Sequence, residues 1–243
     1  MRHIKHYKIF ERNSPNFPTT REEVIQVCDK YRIENYTIND DLSIDVDGIV
    51  RLFGKNLEYL PLKFNYVSGN FYCNDNALES LEGSPQTIGG CFDCSRNGLL
   101  SLDGCPQTIN GFFDCSDNNL ESLEGGMQIV GGYFDCSYNE LISLKGVSEI
   151  GGRYFDCQFN NLTDLEHFPD VNESVYLASN PVNNIVYTFI KNADIFMIED
   201  FVDYEIVRNG DTVMLDRLQT FIEGFDLEMP NLKDIKKHYK IIE

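Results

Sequence analysis

The sequence predicts an α+β solenoid, a fold in which short repeats stack into a parallel sheet, with a folded cap at each end. Three observations predict this class. A 21-residue period runs through residues 50–180, residues 1–49 carry the signals of a helix and then a hairpin, and residues 181–243 lose the period and show helical patterns. We therefore divide the chain into an α/β N-terminal cap (1–49), a repeat array (50–180) and a mainly helical C-terminal cap (181–243).

The period is defined by columns that hold one residue type in five successive copies. A phenylalanine and a cysteine two residues apart face the same side of a strand. The asparagine three residues later is expected to face inward and to hydrogen-bond loop backbone. The three columns are Phe71, Phe92, Phe113, Phe134 and Phe155; Cys73, Cys94, Cys115, Cys136 and Cys157; and Asn76, Asn97, Asn118, Asn139 and Asn160. Weaker copies that begin at Val50 and Val175 bring the array to about seven strands.

A glycine column follows the leucines of each copy and predicts turns and extended backbone, rather than helices, on the far side of the array. It consists of Gly83, Gly104, Gly125 and Gly146. One irregularity interrupts the period. The copy ending at Gly151-Gly152 is one residue short, and Arg153 is expected to restore the register.

The eight cysteines are interpreted as structural. The five periodic ones are expected to point inward as small buried hydrophobic residues. Cys91 and Cys94 form a CxxC motif, which is typical of metal and redox sites. Three residues apart on a strand, however, they face opposite sides, so we expect no metal and no cofactor.

Both caps carry recognisable local signals. A capping box at Thr20–Glu23 predicts a helix over REEVIQVCDKYRI, and a polar break at Asn39–Asp41 within an alternating pattern predicts a hairpin. This helix and hairpin are expected to cover the exposed strand edge of the first repeat. Near the other end, VMLDRLQTFIEGF predicts a helix ending at Gly224, after one or two short helices within residues 185–207.

The charge of the chain restricts its partners. The net charge is −19, and residues 50–180 carry 6 basic against 18 acidic residues. Such a field repels nucleic-acid phosphate and anionic lipid and favours a basic protein surface, although solubility alone also explains it. No signal peptide or membrane span is indicated, so a cytoplasmic location is expected. The four histidines are scattered and no catalytic motif is present, so we expect no enzyme activity.

The repeat unit, FDCSRNGLLSLDG followed by CPQTING, resembles the leucine-rich repeat with Phe and Cys replacing strand leucines. The whole layout resembles the leucine-rich-repeat proteins of tailed bacteriophages, through SIDVDGIV (43–50), LPLKFNYVSGNF (60–71), the five repeats and VMLDRLQTFI (213–222). The resemblance implies a right-handed superhelix of about seven repeats with a parallel concave sheet. It also implies protein binding and a phage-encoded protein in the host cytoplasm, but no activity.

Strand alternation predicts the side chains on the concave face. Four stacked carboxylates, about 5 Å apart, repel by ~1 kcal/mol per adjacent pair even in water. Neighbouring aromatic side chains suit cation–π contact with lysine or arginine, so the face is expected to bind a basic protein. The predicted partner-binding residues are Tyr72, Asp93, Asp114, Asp135, Asp156, Phe112, Tyr133, Tyr154, Tyr138, Phe159 and Tyr176.

The sequence also supports other interpretations of the acidic face. Tandem duplication copies every residue, so four aspartates also fit inheritance from one ancestral copy. A single file of carboxylates supplies few ligands for calcium, which disfavours a metal role. The leading hypothesis is a non-enzymatic module that binds a host defence or regulatory protein. The other two are an acidic mimic of nucleic acid that blocks a DNA-binding protein, and a structural component of the virion.

Overall fold

The computed structural model describes residues 15–147, 149–152, 154–169, 171, 174–190 and 195–243. Arg153 and residues 1–14 of the predicted N-terminal cap lie outside this set. In chain order the elements are α1 (Arg21–Tyr31), β1 (Tyr36–Ile38), β2 (Ile44–Val46), β3 (Val50–Arg51), β4 (Phe64–Val67), β5 (Phe71–Tyr72), β6 (Thr87–Ile88), β7 (Phe92–Asp93), β8 (Thr108–Ile109), β9 (Phe113–Asp114), β10 (Ile129–Val130), β11 (Phe134–Asp135), β12 (Glu149–Ile150), β13 (Tyr154–Asp156), β14 (Ser174–Tyr176), α2 (Asn183–Ile190), α3 (Ile195–Asp203), β15 (Val207–Arg208), β16 (Thr212–Met214), α4 (Leu215–Gly224), α5 (Leu232–Ile235) and β17 (Lys240–Ile242).

The middle of the chain is a parallel-strand β-solenoid of about six turns. Sheet B contains the Phe–Asp strands in the order β3-β5-β7-β9-β11-β13-β14, all paired in parallel. Each of its strands from β3 to β13 starts one turn of the solenoid, which we call a rung. The weak outer copies are present in this sheet, because Val50 pairs with Phe71 and Val175 pairs with Phe155. The repeat period therefore predicted this sheet and its register correctly.

A second sheet was not predicted. Sheet A has the order β1-β2-β4-β6-β8-β10-β12, and each of its strands from β4 to β12 is followed, after a sharp corner, by a strand of sheet B. In sheet A, Val130 pairs with Ile150, a 20-residue step that confirms the expected shortening of the period. Most strands of this sheet within the array contain two residues, of which one is buried, so the sequence signal was too weak to separate a strand from extended backbone.

A glycine column at the corner between the sheets allows successive rungs to approach closely. A Cβ on Gly132 would lie 2.7 Å from the backbone nitrogen of Phe112, and one on Gly69 would lie 2.5 Å from the backbone oxygen of Gly48. Real side chains do not adopt such distances, so the close approach requires glycine. The column is Gly69, Gly90, Gly111, Gly132 and Gly152.

The core runs along the solenoid as stacked columns of identical side chains. Phe113 is fully buried, and its ring centroid lies 5.4 Å from that of Phe92 and 5.1 Å from that of Phe134. The five periodic cysteines are also fully buried, as predicted. They are free thiols, and burial raises the pKa of each far above its usual range. Ring stacking and apolar burial thus continue from rung to rung, which a single repeat could not provide.

The asparagine column bonds backbone groups between rungs, as the sequence predicted. Asn139 donates from Nδ2 to the carbonyl oxygens of Cys115 and Cys136, both at 3.1 Å. Its Oδ1 accepts a hydrogen bond of 3.0 Å from the backbone nitrogen of Leu120. Each asparagine therefore supplies the partners that the corner after the strand lacks.

The predicted helix and hairpin are both present before the solenoid. The Thr20 side chain accepts from the Glu23 backbone nitrogen at the start of α1, and the Glu23 carboxylate bonds back to the Thr20 backbone nitrogen, which completes the capping box. Strands β1 and β2 are antiparallel, with Tyr36 opposite Val46. Strand β2 then pairs in parallel with β4, so the hairpin continues sheet A at its first strand.

The C-terminal part contains a sheet in addition to the predicted helices. Helices α2, α3 and α4 fall where helices were predicted, but residues 213–214 form part of strand β16 rather than the start of α4. Strand β16 pairs with β15 and with β17, which lies in the basic tail. The Tyr239 hydroxyl donates to the backbone oxygen of Thr163 at 2.8 Å and joins this part to the solenoid. Within the described residues no helix has the length and apolar character of a membrane span.

Candidate functional site: the outer face of sheet B

The predicted aspartates form one continuous row on the outer face of sheet B. Tyr72 pairs with Asp93, and the register continues through Asp114, Asp135 and Asp156 to Tyr176. The phenylalanine before each aspartate is buried, whereas each aspartate is partly exposed. Strand alternation therefore assigned the inward and outward positions correctly.

The aspartates are more enclosed than the sequence suggested. Asp114 Oδ1 accepts hydrogen bonds from the backbone nitrogen of Ser116, at 2.9 Å, and from its hydroxyl, at 2.6 Å. The same pair of bonds joins Asp93 to Ser95 and Asp135 to Ser137, and Asp156 binds Gln158 instead. The Asp-Cys-Ser spacing carried this signal, because Asp often bonds the backbone two residues later. The carboxylates thus face outward, and these hydrogen bonds hold them close to the backbone.

Burial and mutual repulsion act on the charge of this row. Burial, assisted by the charges of Asp114 and Asp156 and opposed by the Ser137 hydrogen bonds, raises the pKa of Asp135 from 3.8 to about 6. Burial likewise raises the pKa of Asp93. Among the residues that the structure describes, no basic side chain forms an ion pair with any of the four aspartates. The row thus carries uncompensated negative charge in a partly desolvated position.

Asp135→Asn is expected to raise the melting temperature at about pH 7.5 and to have a much smaller effect at about pH 4.5. Because the pKa of Asp135 is raised from 3.8 to about 6, the folded state binds a proton more tightly than the unfolded state does. The ionised carboxylate therefore lowers stability fully above about pH 6, and this penalty is lost as the pH falls towards 3.8. Asparagine keeps the Oδ1 acceptor for Ser137 and removes the charge.

After allowance for solvent screening of a partly exposed group, we expect a gain of ~1 kcal/mol, or about 3 °C for a chain of this size. Circular dichroism melts of both proteins at the two pH values measure it. Glu121→Gln, which neutralises an exposed carboxylate in a loop, is the control for net charge and should change neither melting temperature. A stabilisation by Asp135→Asn that is equal at both pH values would contradict the assignment.

A row of aromatic side chains runs along one side of the aspartates. We call Phe112, Tyr133 and Tyr154 the aromatic row. The Phe112 and Tyr133 ring centroids lie 4.7 Å apart and those of Tyr133 and Tyr154 lie 4.4 Å apart, with nearly parallel planes. The three rings lie on the outer face, where strand alternation places them, but they cover one another and are partly buried, which raises the pKa of Tyr133 and of Tyr154. Tyr176 closes the row edge-on, 6.0 Å from Tyr154.

Tyr138 and Phe159, which we call the outer pair, lie beyond the other side of the aspartates. Their rings stack with centroids 4.2 Å apart, and the side chains are 53% and 42% exposed. Both residues have a left-handed backbone, with φ of 53° and 52°. Bulky residues rarely adopt this conformation, which Asn, Asp and Gly tolerate best. The same column in the earlier rungs holds Gly54, Asp75, Arg96 and Asp117.

Within the part of the chain that the structure describes, neither the CxxC motif nor the cleft near Glu205 forms a competing site. Cys91 is partly exposed whereas Cys94 is buried, in agreement with their predicted opposite faces. In the described part of the chain, no group of three His, Cys, Asp or Glu side chains could hold a metal ion. A cleft of about 420 Å³, not predicted from the sequence, lies between the last turn and the C-terminal elements and includes Asp164 and Glu205. Arg208 and Arg217 already bind Glu205, so the charge there is partly compensated.

The geometry defines the class of the protein as a parallel-strand β-solenoid with an acidic and aromatic sheet face. Comparison with known protein families, with curated proteins and with solved structures finds no significant match. Function is therefore inferred from the arrangement of the residues themselves.

Proposed function

We propose that the chain is a non-enzymatic protein-binding module that uses the outer face of sheet B to engage a protein with a basic surface. One observation carries the proposal: partly buried carboxylates that form no ion pair with a described basic side chain lie beside stacked aromatic rings, and two of them, Asp135 and Asp156, lie between two such stacks. Like charges opposite one another in a sheet oppose folding. A basic partner would offset that repulsion and would contact the aromatic rings at the same time.

Divergence among the repeats supports function over inheritance alone. Duplication explains four identical aspartates, but it does not explain the columns beside them. The aromatic row begins only at Phe112, because the same column holds Asn70 and Cys91 in earlier rungs. The outer pair places bulky aromatic residues in a left-handed column that holds Gly54, Asp75 and Asp117 in three of the four earlier rungs. Backbone strain of this kind is often retained at functional sites.

The resemblance of the sequence to leucine-rich-repeat proteins also supports a proposal about the origin of this protein. The repeat, with its inward asparagine, supports a leucine-rich-repeat superhelix whose concave side is sheet B, with residues 1–49 and 181–243 as caps. The layout shared with tailed-phage proteins supports a phage-encoded protein that acts in the host cytoplasm. For a phage-encoded protein of this kind, the proposed partner is a host defence or regulatory protein.

The proposal is tested by capture from bacterial lysate with three immobilised proteins. These are the wild type, Asp114→Asn with Asp135→Asn, and Glu79→Gln with Glu121→Gln as a control of equal charge change off the face. Asparagine is used because it keeps the Ser116 and Ser137 hydrogen bonds. We expect proteins held by the wild type and by the control to be lost, by tenfold or more in recovery, from the face variant. Equal recovery by all three proteins would contradict binding through this face.

Salt dependence separates the two other candidate functions. A nucleic-acid mimic would lose affinity steeply between about 50 and 200 mM salt and would compete with DNA. A partner held by aromatic contacts would show a weaker dependence and no competition. Recovery of the chain in purified virions would instead support a structural role.

A further inference from the structure

Two adjacent rungs at the C-terminal end of the array combine all three features of the outer face. In one rung, Asp135 stands between Tyr133 and Tyr138 along the chain, and in the next rung Asp156 stands between Tyr154 and Phe159. The stacked rings of the aromatic row and of the outer pair therefore flank the carboxylates on both sides. The earlier rungs lack this arrangement, since Asp93 has Cys91 and Arg96 in the corresponding positions. We call these two rungs the aromatic segment.

The chain contains an internal example of how a cation binds between rungs. Arg96 lies in the column of the outer pair, and its Nη1 is 3.4 Å from Oδ1 of Asp75 in the preceding rung. Its Nε is 4.0 Å from Oδ2 of Asp117 in the following rung. A single guanidinium therefore spans carboxylates of different rungs on this solenoid. A compact ammonium group lacks the separated donors that make such a bridge.

We infer that the aromatic segment binds an arginine side chain of the partner, in preference to lysine. This inference rests on the proposed function and names the group recognised. The guanidinium would donate to Asp135 and to the carboxylate of a neighbouring rung, and its plane would stack on the exposed rings of Tyr138 and Phe159. Planar stacking together with several directed donors is available to arginine and not to lysine.

The acceptor atoms support this choice. Oδ1 of Asp135 accepts from Ser137, whereas Oδ2 accepts no hydrogen bond from the residues that the structure describes. The same holds for Oδ2 of Asp114, in the rung before the aromatic segment, whereas both oxygens of Asp156 accept from Gln158. Free oxygens on neighbouring rungs match the spaced N–H groups of one guanidinium. A lysine ammonium would neutralise the charge but would leave the stacked rings of the outer pair without a planar partner.

The test compares two peptides by isothermal titration calorimetry. One is an acetylated, amidated hexapeptide that alternates glycine and arginine, and the other has lysine in place of arginine. We expect the wild type to bind the arginine peptide about tenfold more tightly than the lysine peptide. Tyr138→Asn with Phe159→Asn should lower the arginine affinity about tenfold and remove the preference. Because asparagine suits a left-handed backbone, this variant should melt no lower than the wild type.

Asp103→Asn removes an exposed carboxylate away from sheet B and serves as the matched control, with unchanged preference. Equal affinity for the two peptides would overturn the arginine inference and leave charge-driven binding by the face intact. Unchanged binding by the Tyr138→Asn and Phe159→Asn variant, or no binding of either peptide, would also overturn it. The proposed function would be contradicted by a different result, namely equal recovery of lysate proteins by the wild type and by the Asp114→Asn with Asp135→Asn variant.

Discussion

Replacing Asn118 with alanine is expected to lower the free energy of unfolding by about 4 kcal/mol. Asn118 is 8% exposed, and its Nδ2 donates to the carbonyl oxygens of Cys94 and Cys115 at 3.2 and 3.0 Å. Its Oδ1 accepts from the backbone nitrogen of Leu99 at 3.1 Å. Alanine would remove all these bonds and leave the Leu99 N–H without an acceptor in the interior, where an unsatisfied donor costs about 1–3 kcal/mol.

Urea denaturation measures this loss, and the neighbouring residue provides the control. Asn119 is exposed and its side chain bonds no described residue, so Asn119→Ala should change stability by less than about 0.5 kcal/mol. Asn118→Asp is a second informative variant. It keeps an oxygen that accepts from the Leu99 backbone nitrogen, but it replaces the Nδ2 group that donates to the carbonyl oxygens of Cys94 and Cys115. It should be destabilised as well. Similar stabilities for the Asn118→Ala and Asn119→Ala proteins would show that the asparagine column does not stabilise the solenoid.

Gly132→Ala is expected to lower the free energy of unfolding by about 3 kcal/mol. The added Cβ would lie 2.7 Å from the backbone nitrogen of Phe112 and 2.8 Å from the carbonyl carbon of Gly111. Both atoms belong to the backbone of the preceding rung and cannot rotate away as a side chain could. The rungs must separate locally, which weakens the hydrogen bonds and ring stacking between them. Urea denaturation again measures the loss.

Gly98→Ala is the control for this substitution. A Cβ at Gly98 would lie 3.5 Å from the backbone oxygen of Leu78, an ordinary contact, and the same column holds Ala77 and Asn119 in other rungs. This variant should therefore keep its stability or gain up to about 1 kcal/mol through a less flexible unfolded chain. Equal losses in both variants would mean that glycine is needed for backbone freedom, and not for the approach of rungs at the corner.

These expectations separate two groups of residues. Asn118 and Gly132 hold adjacent rungs together, so their replacement should destabilise the fold. Asp135 and the outer pair oppose stability through repulsion and backbone strain, so asparagine in their places should preserve or raise it. Residues that a fold keeps at a cost to its own stability are candidates for binding, and the outer face of sheet B concentrates them.

Much of the solenoid followed from the repeat alone. Identical residues every 21 positions can stack only in register, and the spacing of Phe and Cys assigns both to the inner side of a strand. The inward role of asparagine followed from the need to satisfy backbone groups at a corner. Local signals were sufficient at Thr20, where the capping box starts α1 as predicted.

Sheet A and the C-terminal sheet were not predicted, because their strands are short or pair with residues far along the chain. Each strand of sheet A from β6 to β12 contains two residues, too few to show a period of their own. In the C-terminal part, Thr212 pairs with Lys240, and no local pattern identifies a partner so far along the chain. The basic tail was therefore recognised by its charge but not as a strand.

The sequence by itself determined which side chains enter the core of the solenoid and which form the row of aspartates, because a strict period leaves one register in which apolar columns are buried. Only the tertiary structure decided how far these outward side chains are buried and which aromatic rings stack on one another. The partial burial of Asp135 and the stacking of Tyr138 on Phe159 arise from the close spacing of adjacent rungs. That spacing is a property of packed neighbours, which a single repeat read along the chain does not contain.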